Sequence, residues 1–249
     1  IWFPTSAIPD RIGTELTAML KAQGAKSVAV LANVLPFTKE IKNFLEPELK
    51  KAGIDIKLST EYPPDVKDMT AVLTQVKQAN PDAVLALAYP GDSVLYAKQA
   101  KELGLAQPFQ FVAIGPSDAF FPKAVGAASA DGVVTVAHWS PRADWAGSQA
   151  FYDSYVKKFG EDPDYLNSAL AWVSLEILEA AVAKNGLDKE KIRATVSSET
   201  FDTINGKVKF DGVQNTITPT AFVQYQKGKL QIVWPASIAT GKFEAKKGW

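Results

Sequence analysis

Two stretches, Lys26-Ser27-Val28-Ala29-Val30-Leu31-Ala32 and Asp82-Ala83-Val84-Leu85-Ala86-Leu87-Ala88, are almost continuously apolar, and each leads through a turn into an amphipathic helix. Apolar residues at successive strand positions mean that both faces are covered, as in the middle of a parallel sheet. Parallel neighbours need crossover connections, so the flanking segments must be helical. The spacing supplies them. Asp10 can cap a helix carrying Ile12, Leu16, Met19 and Leu20 to a stop near Gly24. Thr38 can cap a second, with Ile41, Phe44, Leu45 and Leu49 on one face, ending at Gly53. Pro47 inside that helix costs about 3 kcal/mol in an ideal interior and predicts a kink or a break. Ile54 to Leu58 alternates as a less buried strand, and a third helix runs from about 68 to 79 with Val72, Leu73 and Val76 inward. Strands at about 109–114 and 132–137 complete the series. The fold class is α/β, a doubly wound parallel sheet.

After His138 the texture changes. Helices are expected at 147–159, 165–185 and 188–197, then hairpin signals at Asn205-Gly206 and Asp211-Gly212, then strands at 220–226 and 230–233.

The stretch "ALAYPGDSVLYAKQAKELG", residues 86 to 104, is strand, turn and helix in one line. Asp92 or Ser93 can accept from the first free N–H groups of the helix, and Gly104 suits a left-handed stop. Ligands of open α/β sheets collect at such strand ends, so Tyr89, Pro90, Gly91, Asp92 and Ser93 are candidate contacts. An ordinary βα turn with Asp as its cap explains the same residues.

Chemistry narrows the function classes. Lys plus Arg and Asp plus Glu both number 27, which gives no net field for nucleic acid or an acidic membrane. No cysteine is present, so there is no disulfide and no thiolate metal site, and His138 is the single histidine. Neither a GxxxxGK[ST] loop nor a GxGxxG after a strand occurs, so those nucleotide sites are absent. No apolar stretch approaches the roughly 18–20 residues that span a bilayer, and the start "IWFPTSAIPD" lacks the layout of a signal peptide. What remains is a set of strand-end turns bearing aromatics and single polar groups, Asn33 to Phe37, Tyr89 to Ser93, Gly115 to Phe121 and His138 to Trp145. That inventory suits a small-molecule pocket, although the same aromatics could fill core.

In order and spacing, "KSVAVLAN", "ELKKAGIDI", "VLTQVKQANPDAVLALAYPGDSVLYAKQAKELGL", "GVVTVAHWSP", "FYDSYVKKFGEDPDY", "FDTINGKVKFDGVQNT" and "FVQYQKGKLQIVWP" resemble the branched-chain amino acid type of periplasmic substrate-binding protein. The resemblance implies a two-lobed type I periplasmic binding fold that closes on a small solute and delivers it to a membrane ABC permease, from the periplasm or the cell surface. It implies no enzymatic activity, no metal and no organic cofactor. Most of the N-terminal lobe is expected to be missing. Residues 1–137 then form the second lobe, 138–221 the segment that would complete the truncated first lobe, and 222–249 the return, with hinges near Thr5, His138 and Thr220.

Carried over position by position, the resemblance implies contacts at Pro36 and Phe37, at Tyr89 to Ser93, and at Ser117 and Asp118, where amino-acid binders place an acid for the ligand's ammonium. Tyr165 and Asn167 approximate a further position, and Trp139 would suit an aromatic or bulky apolar ligand. The implied ligand is a small carboxylate, either a hydrophobic amino acid or an aromatic acid. A sensory ligand-binding domain on the same fold, or an α/β enzyme using the strand-end acids, are the alternatives.

Overall fold

The computed structural model describes residues 9–137 and 139–249. Thr5 and His138, two of the three expected hinge positions, lie outside the described residues. By contacts the chain divides into two compact units, one holding Pro9–Val136 with Phe222–Trp249 and the other holding Ala137–Ala221.

The first unit is a seven-stranded sheet flanked by helices. Its first half runs α1 (Pro9–Ala22), β1 (Ser27–Asn33), α2 (Pro36–Lys51), β2 (Asp55–Tyr62), α3 (Thr70–Ala79) and β3 (Ala83–Leu87). It continues through α4 (Pro90–Glu102), β4 (Phe109–Val112), a short 3-10 turn at Gly115–Ser117, α5 (Phe120–Val125), α6 (Ala127–Ala130) and β5 (Val133–Ala137). An antiparallel pair, Ala221–Gln226 and Lys229–Trp234, extends one edge beside β5. β1 pairs in parallel with both β2 and β3, β3 with β4, and β4 with β5.

The predicted central strands are fully buried along their length. Ala29, Leu31, Val84 and Ala86 pack on Leu73 and Val76 of α3 and on Tyr96 and Ala100 of α4. Alternate strand residues point to the other face, where α2 lies on β1 and α1 on α2. Each βα unit closes with economy. At the end of α4, Gly104 takes φ +63°, its N–H donates to Lys101 O and that of Leu105 donates to Ala100 O, which satisfies carbonyls the helix would leave open.

Three local expectations are corrected. α2 starts at Pro36, not at Thr38, whose hydroxyl donates back to Asn33 O and Leu35 O instead of capping. The same helix continues unbroken through Pro47, because Pro47 and the Asn43 carbonyl it leaves unbonded lie on the exposed side, where water can serve. Phe44 is on that side too, 44% exposed rather than inward.

The second unit contains α7 (Ser148–Phe159), α8 (Asn167–Asn185), α9 (Lys189–Ser198) and an antiparallel sheet of β6 (Thr200–Thr203), β7 (Gly206–Asp211) and β8 (Gln214–Asn215). The β6–β7 turn is Ile204-Asn205, one residue earlier than the Asn-Gly signal, with Thr203 opposite Gly206. The core centres on Trp139, whose indole meets Phe151 and Tyr165 edge to face at 5.2 and 5.3 Å and donates from Nε1 to Ser148 Oγ at 2.6 Å.

Candidate functional site: the carboxyl rim of the parallel sheet

From β1 the chain passes to β2 on one side, then returns to place β3 on the other and continues outward to β4 and β5. The order therefore reverses between β1 and β3. In open α/β sheets the crevice outside the strand carboxyl ends at such a reversal is where ligands bind. The turns after β1, β3 and β4 meet there.

Asp92 is the centre of that rim. It is the third residue of α4, so its carboxylate reaches back and Oδ1 accepts from the N–H of Tyr89 at 2.8 Å. Oδ2 accepts from Asn33 Nδ2 at 2.9 Å, at the end of β1, and from the Tyr62 hydroxyl at 2.8 Å, at the end of β2. Burial and the facing Asp92 carboxylate push the Tyr62 phenol well above its ordinary range, so it stays a protonated donor. Asn33 Oδ1 in turn accepts from the N–H of Leu35 at 3.0 Å and shapes the turn that carries Pro36 and Phe37.

The next residue ties in the third turn. Ser93 Oγ donates to Tyr89 O at 2.6 Å and lies 3.2 Å from Ala113 O beyond β4. Gly115 sits so close that a Cβ there would stand 2.5 Å from Ser93 Oγ, so only glycine allows this approach. Before it, Ile114 is held at φ +38° and ψ −40° with the N–H of Gly115 donating to Ala113 O at 2.7 Å, a γ-turn of the strained hand. A β-branched residue in that region is a backbone outlier, and such strain concentrates at functional sites.

The predicted residues divide by what they still offer. Pro36, Pro90 and Gly91 are exposed, while Phe37, Tyr89 and Asp118 are half-buried. Asp118 Oδ1 accepts from the N–H of Phe120 at 2.9 Å, and among the described residues no donor reaches the other oxygen. Asp92, Ser93 and Ser117 are buried and spent on internal bonds, Ser117 Oγ donating to Ile114 O at 2.7 Å. Neither Asp92 nor Ser93 accepts from the free N–H groups of α4 as a simple cap. The three turns hold two carboxylates, Asp92 and Asp118, and no Lys or Arg between 33 and 38, 88 and 93, or 113 and 121.

In the second unit, Trp139 is fully enclosed with its N–H used, and Tyr165 is buried against it. Trp139 presents no surface to a solute, which corrects the aromatic-contact expectation, because the packing of Phe151 and Tyr165 consumes the ring. Asn167 is exposed at the start of α8, and its N–H donates to Asp164, which also takes the N–H groups of Leu166 and Ser168 at 3.0 and 2.9 Å. Sequence reading missed Tyr62 and the Ser93–Gly115 approach. The available signal for the first was an aromatic closing an alternating strand.

A parallel α/β lobe with its polar groups gathered at a switch point defines a small-molecule binding class rather than any one chemistry. The chain belongs to the periplasmic binding protein family, whose model matches residues 2–229. It is 30% identical over 227 residues to the Leu/Ile/Val-binding protein homolog 7 of Brucella suis biovar 1, the match covering 85% of this chain and 56% of that protein. It thus spans about half the length of the curated relatives it matches.

Two solved structures show the same fold. The branched-chain amino acid transporter substrate binding protein LivJ from Streptococcus pneumoniae, in complex with isoleucine, matches with a TM-score of 0.82 at 21% identity, covering 92% of this chain and 66% of that one. An ABC transporter solute binding protein from R. palustris, in complex with benzoate, matches with 0.83 at 20% identity, covering 96% and 66%. The architecture is the type I periplasmic binding protein fold.

Proposed function

We propose that this chain is part of an extracytoplasmic solute-binding protein that closes two lobes on a small carboxylate and delivers it to the membrane permease of an ABC transporter. The observation that carries the reading is the rim. Three turns at one switch point present Pro36, Phe37, Tyr89, Pro90, Gly91 and Asp118, apolar surface with one open carboxylate edge and no base. A negative wall suits a ligand that brings an ammonium group to it and discourages a bare acid. A hydrophobic amino acid fits better than an aromatic acid. Family membership and the relatives named for leucine, isoleucine and valine support the same class.

A thermal-shift panel on the full-length protein tests it. Leucine, isoleucine or phenylalanine at 100 times its Kd is expected to add about 2.7 kcal/mol and raise Tm by roughly 3 °C for a protein of the relatives' length, with benzoate giving less. A shift with benzoate alone would overturn the ligand class, and no shift with any of the four would overturn solute capture.

The proposal also accounts for α8. Ala169, Val173, Ile177 and Ala181 are buried in the second unit, yet Trp172, Leu175 and Leu178 on the other side are 43, 58 and 48% exposed. With Phe151, Tyr155 and Phe159 of α7, Trp172 and Leu175 line an open groove of about 700 Å³. A contiguous apolar patch of this kind marks a surface that is normally covered. We assign its cover to the part of the longer relatives that this chain does not span. The 249 residues alone are then expected to self-associate in analytical ultracentrifugation, and Trp172→Gln with Leu175→Gln and Leu178→Gln to return them to monomer. A monodisperse unsubstituted chain would count against the assignment.

A further inference from the structure

We propose that Asp92 is a positioning residue, the node that fixes the strand-end turns against one another, and that it does not itself touch the solute. The inference rests on the rim being the solute site and concerns how that site keeps its shape. Asp92 is 8% exposed, and its three donors come from three different places: Asn33 at the end of β1, Tyr62 at the end of β2 and the Tyr89 backbone after β3. Its neighbour Ser93 binds the fourth place through Ala113 O and the close approach of Gly115. Two adjacent residues thus join the ends of four strands. A solute that took the Asp92 carboxylate would have to displace groups with no alternative partner of equal quality. The Tyr62 hydroxyl, for instance, would be left with Leu87 O at 3.4 Å. The contact groups are the ones this node holds out, on Pro36 and Phe37 from one turn and on Tyr89 to Gly91 from another.

The polarity of the Asn33–Asp92 pair supplies a test that separates positioning from contact. Asp92→Asn keeps an oxygen for the Tyr89 N–H but sets an NH₂ against two donors, Asn33 Nδ2 and the Tyr62 hydroxyl. Adding Asn33→Asp reverses the pair. The new carboxylate still accepts from the Leu35 N–H, and its second oxygen accepts from the amide now at position 92, while Tyr62 turns to Leu87 O. Two readouts are taken on the full-length protein: hydrogen exchange of the Leu35 and Tyr89 amides without ligand, and isoleucine affinity by calorimetry.

Asp92→Asn is expected to speed exchange at both amides and to weaken isoleucine binding, each by about tenfold or more. The double variant is expected to bring both back to within about threefold of the original. Restored exchange without restored affinity would overturn the proposal, since it would mean that the carboxylate at 92 meets the ligand. Unchanged exchange in Asp92→Asn would also overturn it. If the double variant fails to fold, Tyr62→Phe removes one donor only, and faster exchange at Tyr89 is then the supporting result and unchanged exchange the contrary one. Absence of isoleucine binding by the unsubstituted protein would defeat the proposed ligand class, while the exchange measurements would still decide the role of Asp92.

Discussion

Trp139→Ala is expected to destabilise the unit formed by residues 137–221 by about 4 kcal/mol, the cost of emptying a large, fully buried aromatic site that cannot collapse. The indole is wholly enclosed, two rings meet it edge to face, and its N–H is bonded to Ser148. Aromatic pairs of this geometry add about 0.5–1.5 kcal/mol each beyond area burial. Trp139→Phe keeps most of the ring contact and loses the Nε1 donor. Ser148 Oγ still donates to Ser140 O at 3.1 Å, so the lost donor and the volume left by the smaller ring together should cost about 2 kcal/mol, roughly half the alanine effect. Urea denaturation followed by far-UV circular dichroism measures both, and isoleucine titration of Trp139→Phe should match the parent protein. A variant with unchanged stability but weakened binding would show that Trp139 meets the solute after all.

The difference between Trp139 and Tyr89 was not available from sequence, and the reason is physical. Both are aromatics close after an apolar strand, one half-buried at a helix start and one at the centre of a core. Local periodicity reports which face of an element is apolar, but not which distant helix arrives to cover it. The sheet was legible because its signal is local: continuous apolar runs for the central strands, left-handed stops after the helices, alternation for β2. Asp92 was legible as a helix-start residue at a strand end. Its actual partners lie 59 and 30 positions away in Asn33 and Tyr62, and only the parallel register of β1 between β2 and β3 brings them together. Pro47 failed in the opposite sense. A strong local rule was overridden because the helix turns that residue outward, where the carbonyl left unbonded faces solvent.

The segment following the last strand makes the second large effect, and its sign runs against habit. Lys246 is buried, donating from Nζ to Ser129 O at 2.9 Å and Asp131 O at 2.6 Å, with the Trp249 ring 4.4 Å away. Burial holds its pKa down to about 8 from the ordinary 10.5, partly offset by the Asp131 carboxylate. A second cation stands near, since Lys101 Nζ donates to Ser129 Oγ at 3.3 Å. Between pH 8 and 10.5 the unfolded chain binds the proton that the folded chain has released, so this group makes stability rise with pH. Below pH 8 both states are protonated and the burial penalty is complete. The gain across the window should be about 2 kcal/mol once solvent screening is allowed for. The buried phenols of Tyr62 and Tyr96, held above their ordinary range, pull the other way near pH 10 and above, because unfolding lets them ionise. The measurement is therefore a difference: Lys246→Met and the parent protein are melted in parallel from pH 7 to 10. The parent should gain on the variant as pH rises through 8, and a constant or widening deficit would show that the two carbonyls hold the ammonium well enough to cancel its burial.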